Sequence, residues 1–124
     1  MTPPADVTPA AGLVAIARQL VARSDAKTAG VWPRAAALLG RQAMETGLDE
    51  WWRAKGIPLD ACTTHAQLLC LSTYLKDDDT AGQLRYAWSA LTRACHHHPY
   101  ELPPATAELE GWLATVAAWL ERGQ

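Results

Sequence analysis

Apolar residues recur with a helical period along almost the whole chain, and nowhere do they alternate as a half-buried strand requires. Thr8 and Pro9 read as the N-cap and first position of a helix. Leu13, Ile16, Ala17, Leu20 and Val21 then fall on one inward stripe, which fades between Ser24 and Gly30. A second helix is expected from Val31–Pro33 to Ala54, with Arg34, Arg41, Gln42, Glu45, Thr46, Asp49 and Arg53 on its polar face. Ala36, Leu39, Gly40, Ala43, Gly47, Leu48 and Trp51 form its opposite face. Gly40 and Gly47 each sacrifice roughly 1 kcal/mol of helix propensity relative to Ala. Close approach of another helix would offset that loss. Gly56 and Pro58 end the segment.

A third helix should open at Thr63 or Thr64, since Thr64 and Gln67 fit a capping box; Leu68, Leu71 and Leu75 give its buried stripe. The run Asp77-Asp78-Asp79 precedes a fourth helix, where carboxylates complement the positive helix end. This helix carries Leu84, Trp88, Leu91, Cys95 and His98 on one stripe. Arg85, Ser89, Arg93 and His96 or His97 lie on another. Pro99 stops it. Pro103-Pro104 start a fifth, with Leu109, Trp112, Leu113, Val116 and Leu120 inward and Gly123 closing it. The expected fold is all-α, an up-and-down bundle of about five helices with short connections. It forms a single domain over residues 10–124, behind a proline-rich, flexible segment 1–9.

Composition narrows the function. At 124 residues and 49 % apolar, the chain suits one hydrophobic core. It has six Trp and no Phe, and neighbours such as Trp51 and Trp52 point about 100° apart on a helix, so they are not all equally buried. The net charge is −2, unevenly placed: residues 1–56 hold seven Lys/Arg against five Asp/Glu, and residues 57–124 hold four against eight. Proteins that live on non-specific phosphate contacts are far more basic, so a nucleic-acid site here has to be local. The three cysteines form no C-x-x-C pair, and neither a signal segment nor a membrane-length apolar run is visible. These features suggest a cytoplasmic protein with reduced thiols and no membrane association. The abundance of Ala, Leu, Arg and Trp hints at a GC-rich bacterial genome.

The densest chemistry lies in Arg93-Ala94-Cys95-His96-His97-His98-Pro99-Tyr100, which holds three of the four histidines. Arginine supplies a fixed charge for a phosphate, and histidine moves protons near neutral pH. On an ideal helix Arg93 and His98 would stand about 140° apart, whereas His97 is the i+4 partner of Arg93. The bend before Pro99 can swing His98 back toward the arginine.

The Arg93-x4-His98 spacing at the end of a late helix, in a small all-α domain, resembles the HEPN superfamily. That resemblance implies a four- or five-helix bundle, often a homodimer with the Arg and His at the dimer cleft. It also implies metal-independent RNA cleavage, or RNA binding alone, in toxin–antitoxin or phage-defence systems. The resemblance carries over Arg93 and His98 as the site; beside them His97 and His96 can aid as acid or base, Arg93, Tyr100 and Arg85 are the candidate RNA contacts, and an antitoxin is the expected protein partner. No cofactor and no metal are called for. The blocks GRQAMETGLDEWW and RACHHHPYELPP also resemble a small bacterial family that carries no assigned chemistry.

Other readings compete. Cys62, His65 and Cys70 give C-x2-H-x4-C, the right ligand types for zinc in a spacing that matches no standard finger. Histidines in a last helical turn also cap carbonyls and complement the negative helix end. A Trp-rich helical bundle can equally be a non-catalytic protein–protein interaction module. Arg41, Glu45 and Asp49 read first as a salt-bridged surface, and more sharply as groups reaching the histidine cluster across the bundle.

Overall fold

The computed structural model describes residues 8–23, 32–96 and 104–122. Among the described residues are five α-helices, one 3-10 turn and no strand. They are α1 (Pro9–Ala22), α2 (Trp32–Ala54), α3 (Thr64–Leu75), α4 (Asp78–Cys95) and α5 (Thr106–Arg122), with the 3-10 turn at Pro58–Ala61. The protein is an all-α bundle, as the periodicity predicts. α2 is the central element and touches every other helix.

The start and stop signals operate locally. Thr8 caps α1 by accepting from the Ala11 N–H at 3.1 Å, with Pro9 at the first helical position. Gly56, at φ +70°, ends α2 in a Schellman arrangement. Its N–H donates to the Arg53 carbonyl at 3.0 Å, and the Ile57 N–H donates to the Trp52 carbonyl at 3.1 Å. Arg53 also pairs with Asp60 at 3.1 Å, fastening the 3-10 turn to the end of α2. Thr63, not Thr64, is the N-cap of α3 and accepts from the Ala66 N–H at 3.2 Å. The expected box fails because Gln67 turns inward. It is 2 % exposed, and its Nε2 donates to Asp49 Oδ1 at 2.9 Å and to the Cys62 carbonyl at 3.0 Å.

Packing corrects three sequence expectations. The buried stripe of α1 is Ala10, Val14, Ala17 and Val21, and Ile16 is 50 % exposed. α1 meets α2 through small residues: a Cβ on Gly47 would lie 3.8 Å from that of Ala10. A face rich in alanine allows this approach and one centred on Ile16 does not, while Leu13 and Leu20 pack partly buried against the core as expected. Trp52 and Trp119 are the core tryptophans, while Trp51 and Trp112 are half-buried. Met44, Leu48 and Trp52 form an i, i+4, i+8 ridge that places Trp52 inside and turns Trp51 aside. In α4 the interior is Leu84, Ala87, Leu91 and Ala94, and Trp88 and Cys95 only partly join it.

The two glycines of α2 act as expected. A Cβ on Gly40 would overlap the Leu113 side chain, and one on Gly47 would overlap Leu120, both from α5. Their absence lets α5 lie close along α2.

Asp77 joins the start of α4 to the end of α5. It accepts from the Thr80 N–H at 3.2 Å, from the Thr80 hydroxyl at 2.7 Å and from Arg122 at 3.1 Å. The Thr80 hydroxyl, the Thr80 amide and Arg122, in that order, hold the Asp77 carboxyl down at about 2, against an ordinary 3.8. Stability from a depressed carboxylate is fully present above its unfolded pKa and drains as pH falls through the folded one. The melting-temperature advantage of the wild type over Asp77→Thr, whose cap cannot ionise, should therefore shrink as pH drops from about 4 to about 2. Two parallel curves would refute a charge-dependent cap.

Candidate functional site

The end of the bundle where α4 terminates collects the chemically able groups. α4 stops at Cys95, and His96 is its C-cap, with its N–H donating to the Thr92 and Arg93 carbonyls at 3.2 Å each. The helix thus ends earlier than Pro99 alone implies. The i+4 pairing of Arg93 with His97 falls outside the described residues. His97, His98, Pro99 and Tyr100 lie outside the described residues, and so does the direction in which His98 turns.

Arg93 occupies the last turn of α4 and is exposed, as is Arg85 two turns earlier. Arg93 makes no hydrogen bond or ion pair with another described side chain. The histidine contact comes instead from α2. Arg41 Nη1 stands 3.5 Å from His96 Nε2, at the outer limit of a hydrogen bond. The same guanidinium donates through Nε to Glu45 Oε1 at 2.8 Å. Arginine can only donate, so this contact requires His96 Nε2 to be the bare ring nitrogen. Of the α2 polar face, Arg41 reaches the cluster and Glu45 orients it. Asp49 is diverted to Gln67.

Trp88 and Thr92 complete the α4 side. The Arg41 guanidinium carbon lies 5.9 Å from the Trp88 ring centre, within cation–π range. The His65 ring lies on α3 at 6.3 Å from the same indole. Trp88 Nε1 and Thr92 Oγ1 are both buried without a hydrogen-bond partner among the described residues. Orphaned polar atoms of this kind are uncommon in folded proteins. They lie one helical turn apart, on the stripe that leads to His96. Sequence reasoning assigned Trp88 to the core and missed Thr92. Neither residue type signals a site, and only the arrival of Arg41 marks them.

Cys95 sits at the edge of this cluster. Burial pushes its thiol up from the ordinary 9.0, and the nearby Arg41 guanidinium only partly opposes that. A half-buried thiol held protonated is a poor nucleophile. Iodoacetamide at mildly alkaline pH should label the exposed Cys62 first and Cys95 last, followed by peptide mass spectrometry. Early labelling of Cys95 would show that the cluster opens readily. Among the described residues no three His, Cys, Asp or Glu side chains converge as a metal set, and Cys62, His65 and Cys70 are not brought together as ligands.

No described helix is long and apolar enough to cross a membrane. No family model, curated protein or solved structure matches the chain.

Proposed function

We propose that this end of the bundle is an HEPN-like site that binds RNA and cleaves it without metal. The observation that supports this most is the reach of Arg41 from α2 to His96, one turn from the exposed Arg93. The Arg41 guanidinium thus meets an imidazole whose residue lies one helical turn beyond Arg93. The arginines offer paired N–H donors to the non-bridging oxygens of a phosphodiester. When the Arg41 guanidinium turns from His96 to the phosphate, the freed imidazole nitrogen accepts the proton of the RNA 2′-hydroxyl as that oxygen attacks phosphorus. The 5′-oxygen leaves with a proton from a second acid, the role that the resemblance assigns to His98. Products are a 2′,3′-cyclic phosphate and a 5′-hydroxyl end. The same resemblance adds a homodimer with the site at its cleft and an antitoxin as partner, and the cysteine usage adds a cytoplasmic setting.

The test is incubation of purified protein with end-labelled single-stranded RNA in excess EDTA, alongside DNA of the same sequence. The expected result is RNA fragments ending in cyclic phosphate, with the DNA intact because it lacks the attacking hydroxyl. RNA bound but not cut would reduce the site to a binding surface. RNA neither bound nor cut would end this reading and leave the interaction module.

A further inference from the structure

The groove between the first half of α4 and the middle of α5 has no part in the chemistry above. Asp78, Gly82 and Tyr86 lie at i, i+4 and i+8 on α4, with Asp79 and Gln83 beside them; Trp112 and Thr115 on α5 form the other wall. It is a shallow, open groove of about 420 Å³. Gln83 and Thr115 are shared with an adjoining hollow of about 110 Å³, bordered by Thr80 and Arg122.

Three features of this groove bear on what it can hold. Asp77 alone caps α4, and among the described residues Asp78 and Asp79 have neither an ion pair nor a side-chain hydrogen bond. Tyr86 is 62 % exposed, and neither it nor Trp112 makes a ring contact with another described residue. Gly82 lies in the second turn of α4, and a Cβ there would meet nothing within 4 Å, unlike those on Gly40 and Gly47. Close helix packing therefore does not account for Gly82. Its missing side chain keeps the floor of the groove open.

We infer that this groove docks a basic segment of a partner polypeptide, with lysine or arginine side chains laid between the Asp78–Asp79 carboxylates and the Tyr86 and Trp112 rings. Carboxylates beside aromatic faces suit guanidinium and ammonium groups, which gain from both the charge and the ring quadrupole. Arg122, the cation nearest the adjoining hollow, is already paired with Asp77. The three α4 positions span about 12 Å along the helix. That length fits several side chains of an extended peptide better than one small cation. The carboxylates also repel RNA, so this face is separate from the RNA site proposed above and does not depend on it.

The experiment uses the full-length, ¹⁵N-labelled protein and a short peptide alternating arginine with alanine, with glutamate–alanine and serine–alanine peptides as controls. The arginine peptide should shift the amides of residues 78–86 and the Trp112 indole N–H, and the control peptides should not. Asp78→Asn/Asp79→Asn and, separately, Gly82→Leu should each weaken binding by at least roughly tenfold. Glu121→Gln, an exposed acid outside the groove, should leave it unchanged. Gly82→Leu fills the groove without touching a charge, so it separates docking from general attraction to an acidic protein. Shifts centred elsewhere, or equal affinity for wild type and Gly82→Leu, would overturn the assignment.

Discussion

Trp52→Ala should be the most destabilising single substitution in this protein, lowering the unfolding free energy by about 3–5 kcal/mol. Trp52 is 0 % exposed, its ring stands edge-on to Trp51 at 4.8 Å, and it meets Tyr74 of α3 at 5.2 Å. The alanine variant loses the buried area, leaves a cavity and removes the aromatic contacts that hold α3 against α2. A domain of this size is stable by only about 5–15 kcal/mol, so the variant should lose a large share of its total. Trp52→Phe should be much milder. The indole Nε1 is buried with no partner among the described residues, so removing it forfeits no hydrogen bond and relieves a desolvated donor. Urea unfolding followed by circular dichroism measures both. Equal losses for Phe and Ala would mean that the indole N–H has a partner after all.

His96→Ala and Arg41→Ala should each reduce RNA cleavage, His96→Ala by roughly 10²–10⁴-fold, the range for loss of a general acid or base. Neither should cost more than about 1 kcal/mol of stability, because both side chains lie at the surface end of the bundle and their contacts are partly exposed. The double variant should lose little more than the worse single one, since Arg41 and His96 act as a unit. Arg41→Lys should not rescue, because one ammonium group cannot meet Glu45 and His96 at once as the planar fork does. Single-turnover rates in EDTA, paired with unfolding curves, separate lost chemistry from lost folding. Full activity in His96→Ala together with loss in His98→Ala would move the proton transfer to His98.

Much of the fold was legible in the sequence because its signals are local. Thr8-Pro9, Gly56-Ile57-Pro58 and Asp77 act within a few residues of themselves, and each appears where its chemistry requires. The site was legible only in part. The cluster at Arg93–Tyr100 drew attention through its composition, and its end of the bundle is where Arg41 and His96 meet. That Arg41 and not Asp49 makes the crossing could not be read from the i, i+4, i+8 spacing that they share with Glu45. Gln67 took Asp49 for a buried hydrogen bond, and the capping-box pattern concealed this.

The helical class, the start and end signals of the helices and the close approach of some helix at Gly40 and Gly47 were all readable from the chain alone; that the helix is α5 was not. Each follows from backbone chemistry or from periodicity on one element. The tertiary structure decided which of two neighbouring tryptophans is buried, which face of α1 turns inward, and which cation meets the histidine cluster. Those outcomes depend on how closely two helices approach and in what register, which is set jointly by residues far apart in the chain and is written in neither helix alone.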